Sequence, residues 1–174
     1  MDNSKKNPAS FALSFGLILG GVNVIYSLML YSLDMHYQNE IETSLISYAF
    51  LIGIIFYGIL QFKRNNDGFL SLSEGLKTGV GIALISSIVI SIYVVILMQE
   101  IDPEFMDKSI EFQKQKLLQK DPEISVENVN KMFDAQKEFS GPFIISGFII
   151  VFNLFFGFII SMIGALILKK SKPE

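Results

Sequence analysis

The sequence has 174 residues, no cysteine, a formal net charge of −3 and a pI near 5.2; 51% of it is hydrophobic and only 18% charged. Without cysteine there is no disulfide, no thiolate metal site and no thiol chemistry. An acidic chain also lacks the basic face that a nucleic-acid partner needs. A soluble domain spreads its charges along every amphipathic element, whereas here they vanish for about twenty residues at a time.

The first charge-free run, Phe11–Leu33, has 23 residues. It follows Lys5 and Lys6, as a signal peptide does, but it is longer than a signal core and no small-x-small cleavage site follows it, so a retained helix is expected. A ten-residue loop follows, with Asp34, His36, Glu40 and Glu42 and no basic residue. Oxygen and imidazole ligands for a divalent cation look like this, and so does an ordinary solvated acidic turn; without a known ligand spacing, the solvated turn is preferred.

The second run, Ser44–Phe62, has 19 residues, and the third, Thr78–Met98, has 21. Between them Glu74 and Lys77 are three apart and able to pair. The fourth run, Gly141–Leu168, has 28 residues. At about 1.5 Å per residue, each of the four covers roughly the 30 Å of hydrocarbon, and none shows the period-two alternation of a barrel strand. The expected fold is an all-α membrane protein: one integral domain over 1–174 with spans at 11–33, 44–62, 78–98 and 141–168.

Residues 99–140 form an insertion with ten acidic residues and six lysines. Asp102-Pro103-Glu104 and Asp121-Pro122-Glu123 each offer an N-cap, a proline at the first helical position and an acid near the dipole. Two short helices are therefore expected. One carries an apolar face of Phe105, Met106, Ile110, Phe112 and Leu117, the other a face of Val126, Val129, Met132 and Phe133. Gly141-Pro142 ends the second helix and opens the last span. The expectation is an extracytoplasmic helical hairpin between the third and fourth spans.

Orientation follows from positive charge. Lys5, Lys6, Lys63, Arg64, Lys77, Lys169, Lys170 and Lys172 all fall on the side that an even number of spans gives to both termini. That side is expected to be the cytoplasm, with Tyr31, Tyr48 and Tyr93 near the opposite interface.

Inside lipid, helices associate by close packing and hydrogen bonds, so small residues four apart mark contact faces. Gly75, Gly79, Ala83, Ser87 and Ser91 make a ridge on the third span. Gly157, Ser161 and Ala165 mark the fourth, Gly16 and Gly20 the first, and Ala49 and Gly53 the second. These faces are expected to pack within the bundle, with a homodimer seam as the alternative. Asn23 and Asn153 lie near the centres of their spans beside Ser86 and Ser87 in the third. An amide facing lipid costs on the order of 1–3 kcal/mol, so both asparagines are expected to face inward at one depth and to bond each other or Ser87. That polar midplane serves as helix glue in the simpler reading and as a solute site in the other.

No span holds a charged residue or histidine, as an ion-coupled transporter usually does. No nucleophile elbow, phosphate-cradling glycine loop or zinc helix is present. No cofactor is expected, and the bilayer is the first partner, followed by another membrane protein or a second copy. The favoured role is a non-enzymatic accessory or scaffold subunit of a cell-envelope membrane complex. The alternatives are a small oligomeric transporter or channel, and an enzyme acting on a lipid or envelope precursor. A cavity at Asn23 and Asn153 favours transport, and a closed core favours the accessory role.

Three features carry a family resemblance: Gly16, Gly20 and Gly21 in the first span, the stretch Gly68-Phe69-Leu70-Ser71-Leu72-Ser73-Glu74-Gly75-Leu76-Lys77-Thr78-Gly79, and Ile101-Asp102-Pro103-Glu104. The chain resembles domain-of-unknown-function family 4199, uncharacterised four-helix bacterial membrane proteins, over nearly its whole length. The resemblance implies a Gram-negative inner-membrane location and brings no activity or site residues.

Overall fold

The computed structural model describes residues 7–38, 40–121 and 123–171. It is all-helical: α1 Pro8–Ser32, α2 Ile41–Asn65, α3 Leu72–Ile96, α4 Phe105–Lys120, α5 Val126–Lys137 and α6 Pro142–Leu168, with a π-helical turn Leu97–Ile101 extending α3. Among the described residues the only strand-like pairing is one antiparallel bridge between Leu70 and Lys170. α1, α2, α3 with its π-turn, and α6 are each long and apolar enough to cross a membrane, which makes this a multi-pass membrane protein. Lys5, Lys6, Lys172 and Pro122 lie outside the described residues.

α1, α2 and α3 begin before their charge-free runs, and two of these starts, α1 and α3, are capped by side chains. Asn7 accepts a hydrogen bond from the Ala9 amide at 3.0 Å, and Pro8 takes the first helical position. α3 starts at Leu72, six residues before the uncharged run, because Ser71 and Glu74 form a capping box. Glu74 Oε2 accepts from the Ser71 amide at 2.8 Å, and Ser71 Oγ accepts from the Glu74 amide at 3.2 Å. Glu74, expected from its spacing to pair with Lys77, thus also serves as the cap of α3. Gly141-Pro142 opens α6 as anticipated.

α3 is the central helix and packs along both α1 and α6, with α2 against all three. Its two interfaces use small residues differently. Toward α6 small meets small: a Cβ on Gly75 would lie 2.5 Å from the Ala165 Cβ, Gly79 abuts Ser161, and Ala83 abuts Gly157. Toward α1 the match is mixed: Gly81 abuts Ala12, whereas a Cβ on Gly16 would lie 2.5 Å from the Ile85 Cβ, and one on Gly20 2.6 Å from the Val89 Cβ. Such approach gains dispersion contacts that lipid cannot match. α2 does not follow this pattern. Ala49 and Gly53 are exposed, with nothing within 4 Å of a Cβ on Gly53, and α2 packs instead through Leu51, Ile55, Ile59 and Phe62. Its close-contact glycine is Gly58, against Ile82 and Phe15. The spacing of Ala49 and Gly53 misled because it says nothing about which face the larger neighbours bury.

The chain termini and the α2–α3 loop share one end of the bundle, which we call the terminal side. There Leu70 and Lys170 exchange backbone hydrogen bonds of 2.9 and 3.0 Å, and Lys170 lies over the Phe69 ring. The α1–α2 loop and the α4–α5 insertion share the other, the insertion side. α4 does not start at Pro103: its N-cap is Glu104 and its first residue Phe105. α5 starts at Val126 behind Ser125, and Asp121 is the C-cap of α4. Glu104 caps α4 by position only, since its side chain makes no capping hydrogen bond, and Asp121 closes α4 rather than opening α5. Their shared core is Ile110, Val129 and Phe133, flanked by Met106 and Leu117. Val126 and Met132, expected on that face, are 58% and 51% exposed. Phe105 and Phe112 turn to the α1–α2 loop.

Candidate functional site

The insertion-side half of the bundle contains a cavity of about 270 Å³ with wall residues from all four spans, open to the surface at the exposed Ser44 and Tyr48. α1 contributes Asn23 and Ser27, and α2 contributes Ser44, Ser47, Tyr48 and Leu51. Ile90 of α3 and Ile149 and Asn153 of α6 complete the wall. Asn23 lies nine residues from the insertion-side end of α1 and Asn153 eleven from that of α6, placing both ~14–17 Å deep. The two asparagines face one space, but they do not bond each other or Ser87. Asn23 Nδ2 donates to the Leu19 carbonyl and Asn153 Nδ2 to the Ile149 carbonyl, each at 2.9 Å and four residues back. Ser87 Oγ donates to the Leu84 carbonyl at 2.8 Å and is fully buried outside the cavity wall. The reason is local: a helix always offers a short polar side chain the carbonyl one turn earlier, so no partner across the bundle is required.

Neither amide oxygen has a hydrogen-bond partner among the described residues. Ser44 Oγ donates to the Glu40 carbonyl at 3.0 Å. Among the described residues the hydroxyls of Ser27, Ser47 and Tyr48 have no hydrogen-bond partner in the protein. Beyond Leu51 the axis is filled by Leu19, Ile55, Ile59 and Ile82, all fully buried. The cavity is therefore blind toward the terminal side. Of the other small residues expected in the packing faces, Gly16, Gly20, Gly75, Gly79, Ala83, Gly157 and Ser161 sit at helix contacts, and none lines the cavity.

A second cluster was missed by sequence reasoning. The π-helical turn puts one extra residue at the end of α3 and ends with the Asp102 amide on the Leu97 carbonyl at 2.7 Å. The Asp102 side chain, 7% exposed, then meets His36 Nε2 at 2.9 Å and Lys108 Nζ at 2.8 Å. The His36 side chain is 5% exposed; its ring stacks on Phe105 and is edged by Tyr31 and Tyr37. Burial pushes the Asp102 carboxyl up, but the hydrogen bonds and charges of Lys108 and His36 together outweigh it and hold the carboxyl below its ordinary range. Lys108 is raised, chiefly by its hydrogen bond to Asp102. Glu40 continues the junction, receiving Lys116 at 2.8 and 2.9 Å, and Tyr37 edges Phe112. The four acidic-loop residues therefore do not converge as ligands: His36 and Glu40 each turn to α4. Among the described residues no three His, Asp or Glu side chains are grouped to hold a metal ion.

The signal for this latch was present in the spacing of Phe105, Lys108, Phe112 and Lys116. Steps of three, four and four alternate aromatic and cationic groups along one face of α4. Opposite them the loop sets His36 against Phe105, Tyr37 against Phe112 and Glu40 against Lys116, while Asp102 takes Lys108.

A family model described as "Protein of unknown function (DUF4199)" matches residues 14–170. No curated protein and no solved structure matches the chain.

Proposed function

The chain belongs to the DUF4199 family of proteins of unknown function, and from that premise we propose that it is a non-catalytic accessory or scaffold subunit of an inner-membrane complex. In this reading the basic terminal side is cytoplasmic, carrying Lys63, Arg64, Lys77, Lys169 and Lys170. The α4–α5 insertion then faces a partner outside the cytoplasm.

The observation that carries the proposal is the latch. α4 and α5 have little contact with the spans apart from the π-turn, and a two-helix unit with three buried core residues is marginal alone. Yet α4 is held at a fixed attitude by His36–Asp102–Lys108 and Glu40–Lys116. A rigidly presented, weakly self-sufficient pair of helices is suited to a protein contact, because pre-ordering lowers the entropy lost on binding. The enzyme reading asks for an accessible acid–base pair, whereas His36 and Asp102 are buried and committed to each other and to Lys108. The channel reading asks for a path, and the axis beyond Leu51 is filled.

Two experiments test this. Purified from its native membrane in mild detergent, the full chain is expected to bring one stoichiometric partner, released by Asp102→Ala. Recovery of the chain alone, with photo-crosslinks from Met132 only to lipid, overturns the proposal. Because the chain has no cysteine, Lys131→Cys and Lys169→Cys report sidedness directly. An impermeant thiol reagent added outside is expected to label the first and spare the second, and the reverse pattern overturns the orientation.

A further inference from the structure

The blind cavity is the part of the molecule that the partner-presenting role does not use. Its wall has a definite chemical character. No lining side chain is charged, so an ion entering it would leave water without a counter-charge, which is strongly disfavoured in an apolar surround. The wall is not apolar either, since Asn23, Ser27, Ser47, Tyr48 and Asn153 all reach it. Both asparagines spend one N–H on their own helices, and neither carbonyl oxygen has a hydrogen-bond partner among the described residues, so each is available at the wall as an acceptor. A pair of fixed acceptors at one depth, one on α1 and one on α6, selects for a molecule bringing O–H or N–H donors. The volume of about 270 Å³ falls near the lower limit of ligand pockets, which restricts the occupant to a few heavy atoms.

We infer that this cavity is a binding site, entered from the insertion side, for a small uncharged ligand rich in hydroxyl donors: a polyol, or the glycerol headgroup of a neutral lipid. The Asn23 and Asn153 amide oxygens accept its hydroxyl hydrogens, Ser27 and Tyr48 supply flexible donor–acceptor hydroxyls, and Leu51 forms the floor. Binding and the latch occupy different residues, so this inference stands or falls separately from the partner reading.

The test uses the full chain in phosphatidylcholine nanodiscs, with Ser47→Cys as the single thiol on the wall. A small uncharged thiol reagent, methyl methanethiosulfonate, is expected to modify this cysteine, and xylitol or glycerol to slow the modification in a saturable way. Removing one acceptor, by Asn153→Ala or Asn23→Ala, is expected to weaken protection about tenfold, the worth of one buried hydrogen bond. Glycerol 3-phosphate is expected to give no protection, because its charge has no partner. A parallel set of nanodiscs containing dioleoylglycerol separates the sources: protection there, with none from free polyols, assigns the site to a lipid headgroup. Circular dichroism of each variant checks folding, and Ser27→Ala gives a second, milder removal of a contact. The inference is overturned if Ser47→Cys is inert to the reagent. It is equally overturned if neither polyols nor dioleoylglycerol protect it, or if glycerol 3-phosphate protects as well as glycerol.

Discussion

The two halves of this bundle obey one rule with opposite results. In the terminal-side half, glycine and alanine on α3 meet glycine, alanine and serine on α6, the backbones close together, and Leu19, Ile55, Ile59 and Phe62 fill the remaining space. In the insertion-side half α3 and α6 still touch, through reciprocal hydrogen bonds between Ser91 and Ser146. Around them, however, Asn23, Ser44, Ser47 and Asn153 hold a gap that no apolar side chain fills. Small residues close a membrane interface where the facing helix is small at the same level, as on α6, or sets a branched side chain into the notch, as Ile85 and Val89 do against Gly16 and Gly20. Around the cavity Asn23, Ser44 and Asn153 bond to carbonyls one turn back rather than across the bundle, and the space between helices persists.

The comparison is broken most forcefully at Gly79. Its absent Cβ would stand against the Ser161 side chain, 2.7 Å from the Ser161 Cβ, and 3.1 Å from Ile55 Cγ2. Gly79→Leu is expected to drive α3 from α6 at a cost of roughly 3 kcal/mol, read as a lowered midpoint of unfolding in mixed micelles. If the variant unfolds like the parent, the terminal-side half is not the tightly packed one.

The latch is the next largest effect, and it is local. Asp102→Ala leaves a buried imidazole nitrogen and a lysine without their partner, a penalty of about 1–3 kcal/mol. It is expected to appear as faster hydrogen exchange in α4 and α5 with the spans unchanged. Acid gives the same outcome by a different route. The Asp102 carboxyl sits lower in the folded protein than its ordinary value, so its contribution is fully present above the unfolded value of about 4. It is lost as pH falls through the lowered folded value. Lys108 is raised, so its contribution is complete below about 10.4 and lost as pH rises further. Asp102→Asn is expected to remove the acid-dependent loosening of α4; a variant that loosens with acid as the parent does assigns the effect elsewhere.

What could be read from the sequence followed the physics of each region. The four spans were legible because the cost of charge in hydrocarbon is severe and leaves long uncharged runs, and the ridge from Gly75 to Ala83 because helical spacing translates directly into one face. Helix starts were less legible: the Ser71–Glu74 box is visible in the letters, but an uncharged-run criterion overlooks a helix that extends past the membrane surface. At 102–104 the pattern was real and the reading wrong. Asp102 resembles an N-cap, yet the extra residue of the π-turn carries it inward to His36 and Lys108, partners 66 positions before it and six after. Long-range pairing of that kind leaves no periodic trace. The cavity was half legible, since burial of Asn23 and Asn153 follows from cost alone whereas the gap between them depends on how four helices diverge.

The smallest effects sharpen the contrast best. Asn153→Leu places an apolar side chain where the cavity has room and removes an amide whose hydrogen bond is to its own helix. Filling space offsets the lost bond, and a change within about 1 kcal/mol is expected. Gly53→Leu provides the limit. Nothing lies within 4 Å of a Cβ there, so the new side chain meets only lipid, and the midpoint is expected to move by no more than about 0.5 kcal/mol. Compared with Gly79→Leu, the same pair of letters changes in the same kind of helix, and only the facing surface differs. A large loss at Gly53 would mean that α2 has an unseen neighbour at that face, in which case a second copy or another subunit covers Ala49 and Gly53 in the membrane.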